Sequence, residues 1–323
     1  MGKPVQINSD NLVIELIKGE RNGIWDRFVK SCPNFTFYQS SDFLDYYSFK
    51  VDSLHKIVFK KKNKIIASIP GGIINKGGLK FYSPFSASFG GFCYIEGSKL
   101  EDVFAMIRGL NDYLKLNNIA EAIIRQTPLI YSKRLDEYID FALLCNGYAL
   151  DRTELTLYMD AINCVTAKVK QNIRKAERSG LVFSEEDSIE EVYKFISFHK
   201  KKKNITFSVT SEDLIYLKNL FPGHIKTFSV SYKNKIIAAI ITYFLNDICV
   251  LGFNWEQDEQ YQEYRPTDLM IYKTANWIFN SGYRFFDLGT VTLEGKPNLG
   301  LSRFKENFGT NGVIRKTFVK KIK

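Results

Sequence analysis

The sequence predicts an α/β protein made of two domains of similar architecture. Three observations carry this expectation. At 323 residues, 45% apolar and 15% aromatic, the chain is long enough for two ordinary domains and rich enough for packed cores. Strand-like runs alternate with helical patterns in both halves, the order that makes α/β folds. Finally, Lys62-Asn63-Lys64-Ile65-Ile66-Ala67 recurs as Lys233-Asn234-Lys235-Ile236-Ile237-Ala238. Both copies stand at a hairpin, and a helix and then a strand lie downstream of each. A shared order of elements around a shared hexapeptide points to duplication. The expected division is residues 1–160 and 161–323, joined near 151–167.

Taken in order, residues 12–17 form a first strand and residues 22–29 a short helix with Trp25 and Phe28 on one face. Ser40 or Ser41 caps a helix through Tyr47, with Asp42 in its first turn, where the helix dipole favours an anion. Residues 56–59 and 65–69 alternate around a polar turn, a hairpin signal. Residues 71–91 are rich in Gly, Ser and Pro between apolar side chains. Ser98-Lys99-Leu100-Glu101 reads as a capping box opening a helix to about residue 116. A strand at 121–125 follows, ended by Pro128. In the second half a basic helix, 169–179, stops at Gly180. Ser188-Ile189-Glu190-Glu191 opens a helix through His199 into Lys200 to Lys203, and Ser211 caps another. Strands 227–232 and 235–244 meet at the turn Lys233-Asn234, and a third, 248–254, pairs next. Arg265-Pro266 opens a helix to about residue 280. A buried strand, 284–288, is closed by Gly289. A Gly/Pro-rich loop then leads to a short helix with Arg303, Phe304 and Lys305.

Composition narrows the function. The net charge of +10 comes from 45 Lys+Arg against 35 Asp+Glu and is spread over both halves. It suits a phosphorylated small molecule, a nucleotide-linked acceptor or RNA, or else a plainly solvated cationic surface. Nothing calls for DNA. Cys32, Cys93, Cys145, Cys164 and Cys249 form no close pair and read as reduced, structural and cytoplasmic. Three histidines without HExxH or CxxC spacing argue against a metal site. Residues 1–10 are polar and give no signal peptide. The longest apolar run, near 236–245, is too short to span a bilayer, so no integral membrane segment is expected.

Three stretches carry a family resemblance. They are Asn172-Ile173-Arg174-Lys175-Ala176-Glu177-Arg178-Ser179-Gly180; Arg265-Pro266-Thr267-Asp268-Leu269-Met270 leading into Gly282-Tyr283-Arg284-Phe285-Phe286-Asp287-Leu288-Gly289; and Arg303-Phe304-Lys305-Glu306-Asn307-Phe308-Gly309. In this order and spacing the chain resembles the Fem-type (FemABX) aminoacyltransferases and the related BioF2-like acetyltransferase domains of the GNAT superfamily. The likeness is best over 165–312. It implies two tandem GNAT-like domains, each a mixed central sheet flanked by helices. It also implies transfer of an acyl or aminoacyl group to an amine of a nucleotide- or lipid-linked cell-envelope precursor, such as a peptidoglycan peptide or a surface sugar. No tightly bound cofactor is expected; acyl-CoA, an acyl carrier or aminoacyl-tRNA would be the co-substrate, with charged tRNA as a partner in the last case. A CoA-binding GNAT domain carries Q/R-x-x-G-x-G/A, whose glycine amides hold the pyrophosphate. Residues 254–268 contain no glycine, so the donor class stays open. The competing reading is a non-catalytic nucleotide-sugar or RNA-binding module on the duplicated fold.

Acyl transfer to an amine needs a neutral amine, two reactants held together and a stabilised oxyanion. A nucleophile is not required, and neither GxSxG nor a Cys/His pairing is present. By resemblance, Phe304 and Lys305 lie at the acyl-transfer centre. Lys305 stabilises the transition state and Phe304 positions it. Asp287, ending a buried strand, is a base, an orienting group or a turn aspartate. Arg265 precedes a helix start, where anions are favoured. Arg174 and Lys175 either contact acceptor phosphates or form a solvated face. His199 sits where related acyltransferases often have a histidine, and a surface histidine is the other reading. Asn254, Trp255 and Tyr264 follow the strand that lies beside the donor in GNAT folds. The run Lys200 to Lys203 is a solvated helix end, or touches tRNA or a membrane surface.

Overall fold

The computed structural model describes residues 6–9, 12–17, 23–162, 164–207, 209–293 and 295–322. The chain separates into two compact units, Met1–Glu154 with Ile314–Lys323, and Leu155–Val313.

The first unit contains β1 (Gln6–Ser9), β2 (Leu12–Ile17), α1 (Gly23–Ser31), α2 (Ser41–Tyr46), β3 (Ser53–Lys61), β4 (Lys64–Asn75), β5 (Leu79–Ser83), β6 (Cys93–Tyr94), α3 (Leu100–Leu116), β7 (Glu121–Arg125), α4 (Tyr138–Cys145) and the first half of β8 (Ala149–Met159). Residue 22, expected at the start of α1, lies outside the described residues. The sheet runs β1-β2-β3-β4-β5-β7 and is closed by the last strand of the chain, whose Thr317–Lys321 pairs antiparallel with β7. A division at 160/161 assigns that strand to the second domain, whereas its partner β7 belongs to the first unit. Among the described residues β5 and β7 are the one parallel strand pair of this unit, and α3 makes the crossover between them. Val103, Met106, Ile107, Leu110 and Leu114 of α3 pack on Ile57, Phe59, Ile69, Phe81 and Ile124 of the sheet. The spacing is that of one helix face on alternating strand positions.

The second unit adds α5 (Ala167–Arg178), β9 (Val182–Glu186), α6 (Ile189–Lys202), α7 (Ser211–Leu220), β10 (Ile225–Tyr232), β11 (Lys235–Phe244), β12 (Cys249–Gln257), α8 (Pro266–Asn280), β13 (Phe285–Thr290), the small hairpin β14 (Thr292–Leu293) and β15 (Lys296–Pro297) and α9 (Leu299–Glu306), and it holds the first residues of β16 (Asn311–Lys321), the strand that closes the first unit. Its sheet runs β8-β13-β12-β11-β10-β9. Again one pair is parallel, β12 with β13, and a helix, α8, crosses between them. Each unit is therefore a mixed sheet flanked by helices.

The sequence repeat is a structural repeat down to its irregularities. Lys62 and Asn63 have φ of 48° and 61°; Lys233 and Asn234 have 49° and 62°. Two left-handed residues in a two-residue loop make the turn whose twist matches paired strands. In both hairpins the register then slips, leaving Ile66 and Ile237 unpaired as bulges. Ser188 caps α6 by accepting from the Glu191 amide, as expected. The box at Ser98 does not form. Lys99 is the N-cap without a side-chain bond, and the Ser98 hydroxyl donates to the Ile95 carbonyl instead. Thr210, one residue earlier than Ser211, caps α7. The expected junction near 151–167 is largely the strand β8 and the start of α5.

Candidate active site

A cleft in the second unit opens where its parallel strands part. β12 and β13 pair over three registers, ending at Leu251 with Asp287. Beyond that point Gly252 to Gln257 and Leu288 to Thr290 line opposite sides of a cleft of about 790 Å3. Outward of the carboxyl ends of parallel strands is where α/β sheets commonly bind ligands. A second bulge aims the wall. The β11/β12 register slips between Ile241 and Thr242, leaving Phe253 unpaired. Phe253 stacks on Tyr243, centroids 4.2 Å apart, while Asn254 and Trp255 face the cleft. Bulges re-aim side chains in this way.

Lys305 forms part of the cleft wall and is 2% exposed. Its Nζ donates to the carbonyls of Gly289 and Thr290, each at 2.9 Å, and lies 5.2 Å from the Trp255 ring centroid. A buried ammonium is costly unless paired or hydrogen-bonded, and these carbonyls and the aromatic face offset that cost. Gly289 holds its carbonyl from φ +80°, in the left-handed region, which favours glycine. Its amide donates to Asp287 Oδ1 at 2.7 Å, and Thr156 Oγ1 donates to the same oxygen at 2.5 Å. Asp287 is wholly buried and does not line the cleft. It accepts from the turn whose Gly289 and Thr290 carbonyls meet Lys305. Phe304 lines the cleft beside Lys305 and packs edge-on against Phe308.

The third wall comes from α5 and the start of α8. Thr166 caps α5 by accepting from the Val169 amide, and Lys168, Val169 and Asn172 of that helix line the cleft. Arg265 is the N-cap of α8 with φ 62° and ψ 44°, an unusual left-handed conformation for a residue with a side chain. Pro266 follows at the first helical position, where its lack of an N–H costs nothing. Arg265 lines the cleft, as do Thr267 and Asp268. Asp268 is 7% exposed and accepts from Asn172 Nδ2 at 3.0 Å. Burial raises its pKa, opposed by the Asn172 bond and the Arg265 and Lys168 charges. Lys200 of α6 and Lys203, the residue that ends that helix, complete the lining, Lys203 paired with Glu256 at 2.6 Å. Burial lowers the Lys200 pKa.

Of the residues expected from sequence, Lys305, Phe304, Arg265, Asn254 and Trp255 meet in this cleft. His199, Tyr264, Arg174 and Lys175 are not among its lining. His199 is buried against Phe195 and Phe198, and burial lowers its pKa. Tyr264 stacks on Tyr232 at 5.3 Å. Arg174 and Lys175 are exposed on α5; Lys175 continues the Lys168–Asn172 face by helical spacing. Asp268, Asn172 and Lys168 were not singled out from sequence. The available signal was their position, an acidic second residue after Arg265-Pro266 and an i, i+4 pair on the basic helix. Among the described residues no group of three or more His, Cys, Asp and Glu is placed to hold a metal ion.

Residues 165–306 match the family described as an acetyltransferase (GNAT) domain. No curated protein matches the chain. Among solved structures it is similar to FemX, at 12% identity over 95% of this chain and 97% of that one, with a TM-score of 0.69. It is also similar to L-PGS from Bacillus licheniformis, at 14% identity, 94% and 92% coverage and a TM-score of 0.60. A third is a tandem GNAT protein from the clavulanic acid biosynthesis pathway, at 8% identity, 96% and 99% coverage and a TM-score of 0.53. At these identities the likeness is one of fold, two GNAT-like domains in tandem.

Proposed function

We propose that the chain is a GNAT-type acyltransferase that moves an acyl or aminoacyl group onto an amine of a nucleotide- or lipid-linked cell-envelope precursor, a peptidoglycan peptide or a surface sugar, in the cytoplasm. The observation that carries the reading is Lys305, a buried cation fixed by two backbone carbonyls in the wall of a basic cleft. The amine nitrogen attacks the donor carbonyl carbon, a C–N bond forms, and negative charge collects on the carbonyl oxygen. Lys305 stabilises that charge, with Phe304 and Asp287 holding its position. Collapse expels the thiolate of a thioester or the ribose oxygen of a charged tRNA, and the proton lost by the amine goes to that leaving group. A fixed cation in a site poor in water favours the transition state because it needs no reorganisation.

Lining residues Lys168, Lys200, Lys203, Arg265 and Lys305 against Glu256 and Asp268 suit a phosphate-bearing donor or acceptor. The absence of glycine from 254–268 disfavours the usual pyrophosphate loop and favours an aminoacyl-tRNA donor over acyl-CoA. The shared fold of FemX and of L-PGS, a lysylphosphatidylglycerol synthetase, supports precursor- or lipid-linked acceptors. Among the described residues no helix is long and apolar enough to cross a membrane, so a lipid-linked acceptor would be met from outside the bilayer core.

The test is turnover with purified protein, amine acceptors and either acyl-CoA or charged tRNA. Lys305→Ala is expected to lower kcat by about 100- to 1,000-fold, the usual cost of losing an oxyanion partner. An unchanged rate in that variant sinks the assignment of Lys305.

A further inference from the structure

One acid of the basic cleft, Asp268, makes no direct ion pair among the described residues, though the Arg265 and Lys168 charges act on it from a distance. Glu256 is paired with Lys203. Asp268 is 93% buried by the complement of its 7% exposure. Among the described residues its one side-chain partner is Asn172, and it forms no ion pair. A buried carboxylate whose one side-chain hydrogen-bond partner is neutral is costly, the Arg265 and Lys168 charges offset that cost only in part, and a cation in direct contact would offset more of it. Asp268 also stands in the first turn of α8, the place where helix amides would otherwise draw a phosphate. The chain has filled that place with its own negative charge, so a phosphate bound there would meet repulsion.

We propose that Asp268, held in place by Asn172, is the seat of a primary ammonium group carried by one of the two substrates. An ammonium offers three donors in a compact head, which suits the open side of a carboxylate already fixed on the other. Two sources share this chemistry: the α-amino group of an aminoacyl donor, and the acceptor amine before it loses its proton. The inference rests on the acyl-transfer reading for its substrates, and it narrows the donor to aminoacyl if the first source is correct.

Calorimetric binding to the full chain separates the cases. The donor pair is 3′-alanylamino-3′-deoxyadenosine and its lactoyl counterpart, which has a hydroxyl in place of the amine. The acceptor pair is Nα-acetyl-lysine methylamide and its norleucine counterpart. Wild-type protein is expected to prefer the amine-bearing member of one pair by about tenfold or more, the worth of a hydrogen bond to a charged group. Asp268→Asn, which keeps an acceptor for Asn172, should abolish that preference and leave binding of the uncharged member unchanged. The pair that discriminates names the source. If neither pair discriminates in the wild type, or if Asp268→Asn weakens both members alike, the inference is overturned and Asp268 is only a tether between α5 and α8. Turnover by wild type without discrimination sinks this inference and leaves the reaction standing. Discrimination without turnover does the reverse.

Discussion

The two copies of the repeat diverge at the same structural joint. In the second unit the parallel strands part after three registers and leave a cleft. In the first, β5 and β7 pair over four registers, Lys80 to Ser83 against Glu121 to Ile124, and the pairing continues as a bridge between Gly90 and Gln126. The chain after β5 folds into the crevice and fills it. Gln126 accepts from the Phe92 amide at 3.0 Å and donates to the Phe92 carbonyl at 3.1 Å. Phe89, wholly buried, packs between Tyr38 at 5.6 Å and Tyr131 at 4.6 Å. A Cβ on Gly91 would lie 2.1 Å from Gln126 Oε1. One scaffold thus yields a filled joint and an open one. The difference lies in what the connection after the third strand of the hairpin unit does, and the strands themselves are alike.

The sharpest break in this comparison is Phe89→Ala. Emptying a buried aromatic site in the plug is expected to cost about 3–5 kcal/mol of stability, read by denaturant unfolding. A loss near zero would mean that the joint is not closed by packing. Asp287→Ala removes the acceptor that the Thr156 hydroxyl and the Gly289 amide share, a cost of about 1–3 kcal/mol. Because the carbonyls holding Lys305 follow directly, kcat should fall with KM little changed, and Asp287→Asn should restore part of it. A change confined to KM would move Asp287 out of the orienting role. Arg265→Gly removes a left-handed residue strained by about 1 kcal/mol. The expected outcome is equal or higher thermal stability with a raised KM for the anionic substrate; a lower melting point would show that the side chain matters more to the fold than to the ligand. The smallest effect belongs to the first unit. Burial lowers the pKa of His55, whose Nδ1 meets the Tyr113 hydroxyl at 2.8 Å. The unfolded chain therefore takes up the proton first. This contribution to stability is complete above the unfolded value of about 6.5 and is lost as pH falls through the lower folded value. His55→Gln should flatten that part of the pH–stability curve, and an unaltered slope would assign it elsewhere.

Much of this plan was legible in the residues. The Lys-Asn turns, the Ser188 cap, the Arg265-Pro266 helix start and the Arg303-Phe304-Lys305 helix are local signals, each set by a few adjacent side chains. The strand β8 was hidden because its first half is exposed and shows no apolar alternation. The strand β16 pairs with β7 across 192 positions at Arg125 and Thr317, so no local signal announces it. Within the cleft, Lys305, Arg265 and Trp255 belong to motifs and could be named. Asp268 and Asn172 could not be paired in advance, since 96 positions separate them and only the packing of α5 on α8 brings them together. Arg174 and Lys175 share the basic helix with the cleft-lining Lys168, and a charge run does not say which face of a helix is turned inward.

The strand that closes the first unit has a consequence for how the protein is made. Arg125 of β7 meets Thr317 across 192 positions, so the whole second unit is synthesised between a strand and its neighbour. Until that segment leaves the ribosome, β7 presents an unpaired edge, the kind of surface on which other chains can add. Shortening the chain before Ile314 would therefore injure the unit made first, and would leave every residue named in the cleft in place.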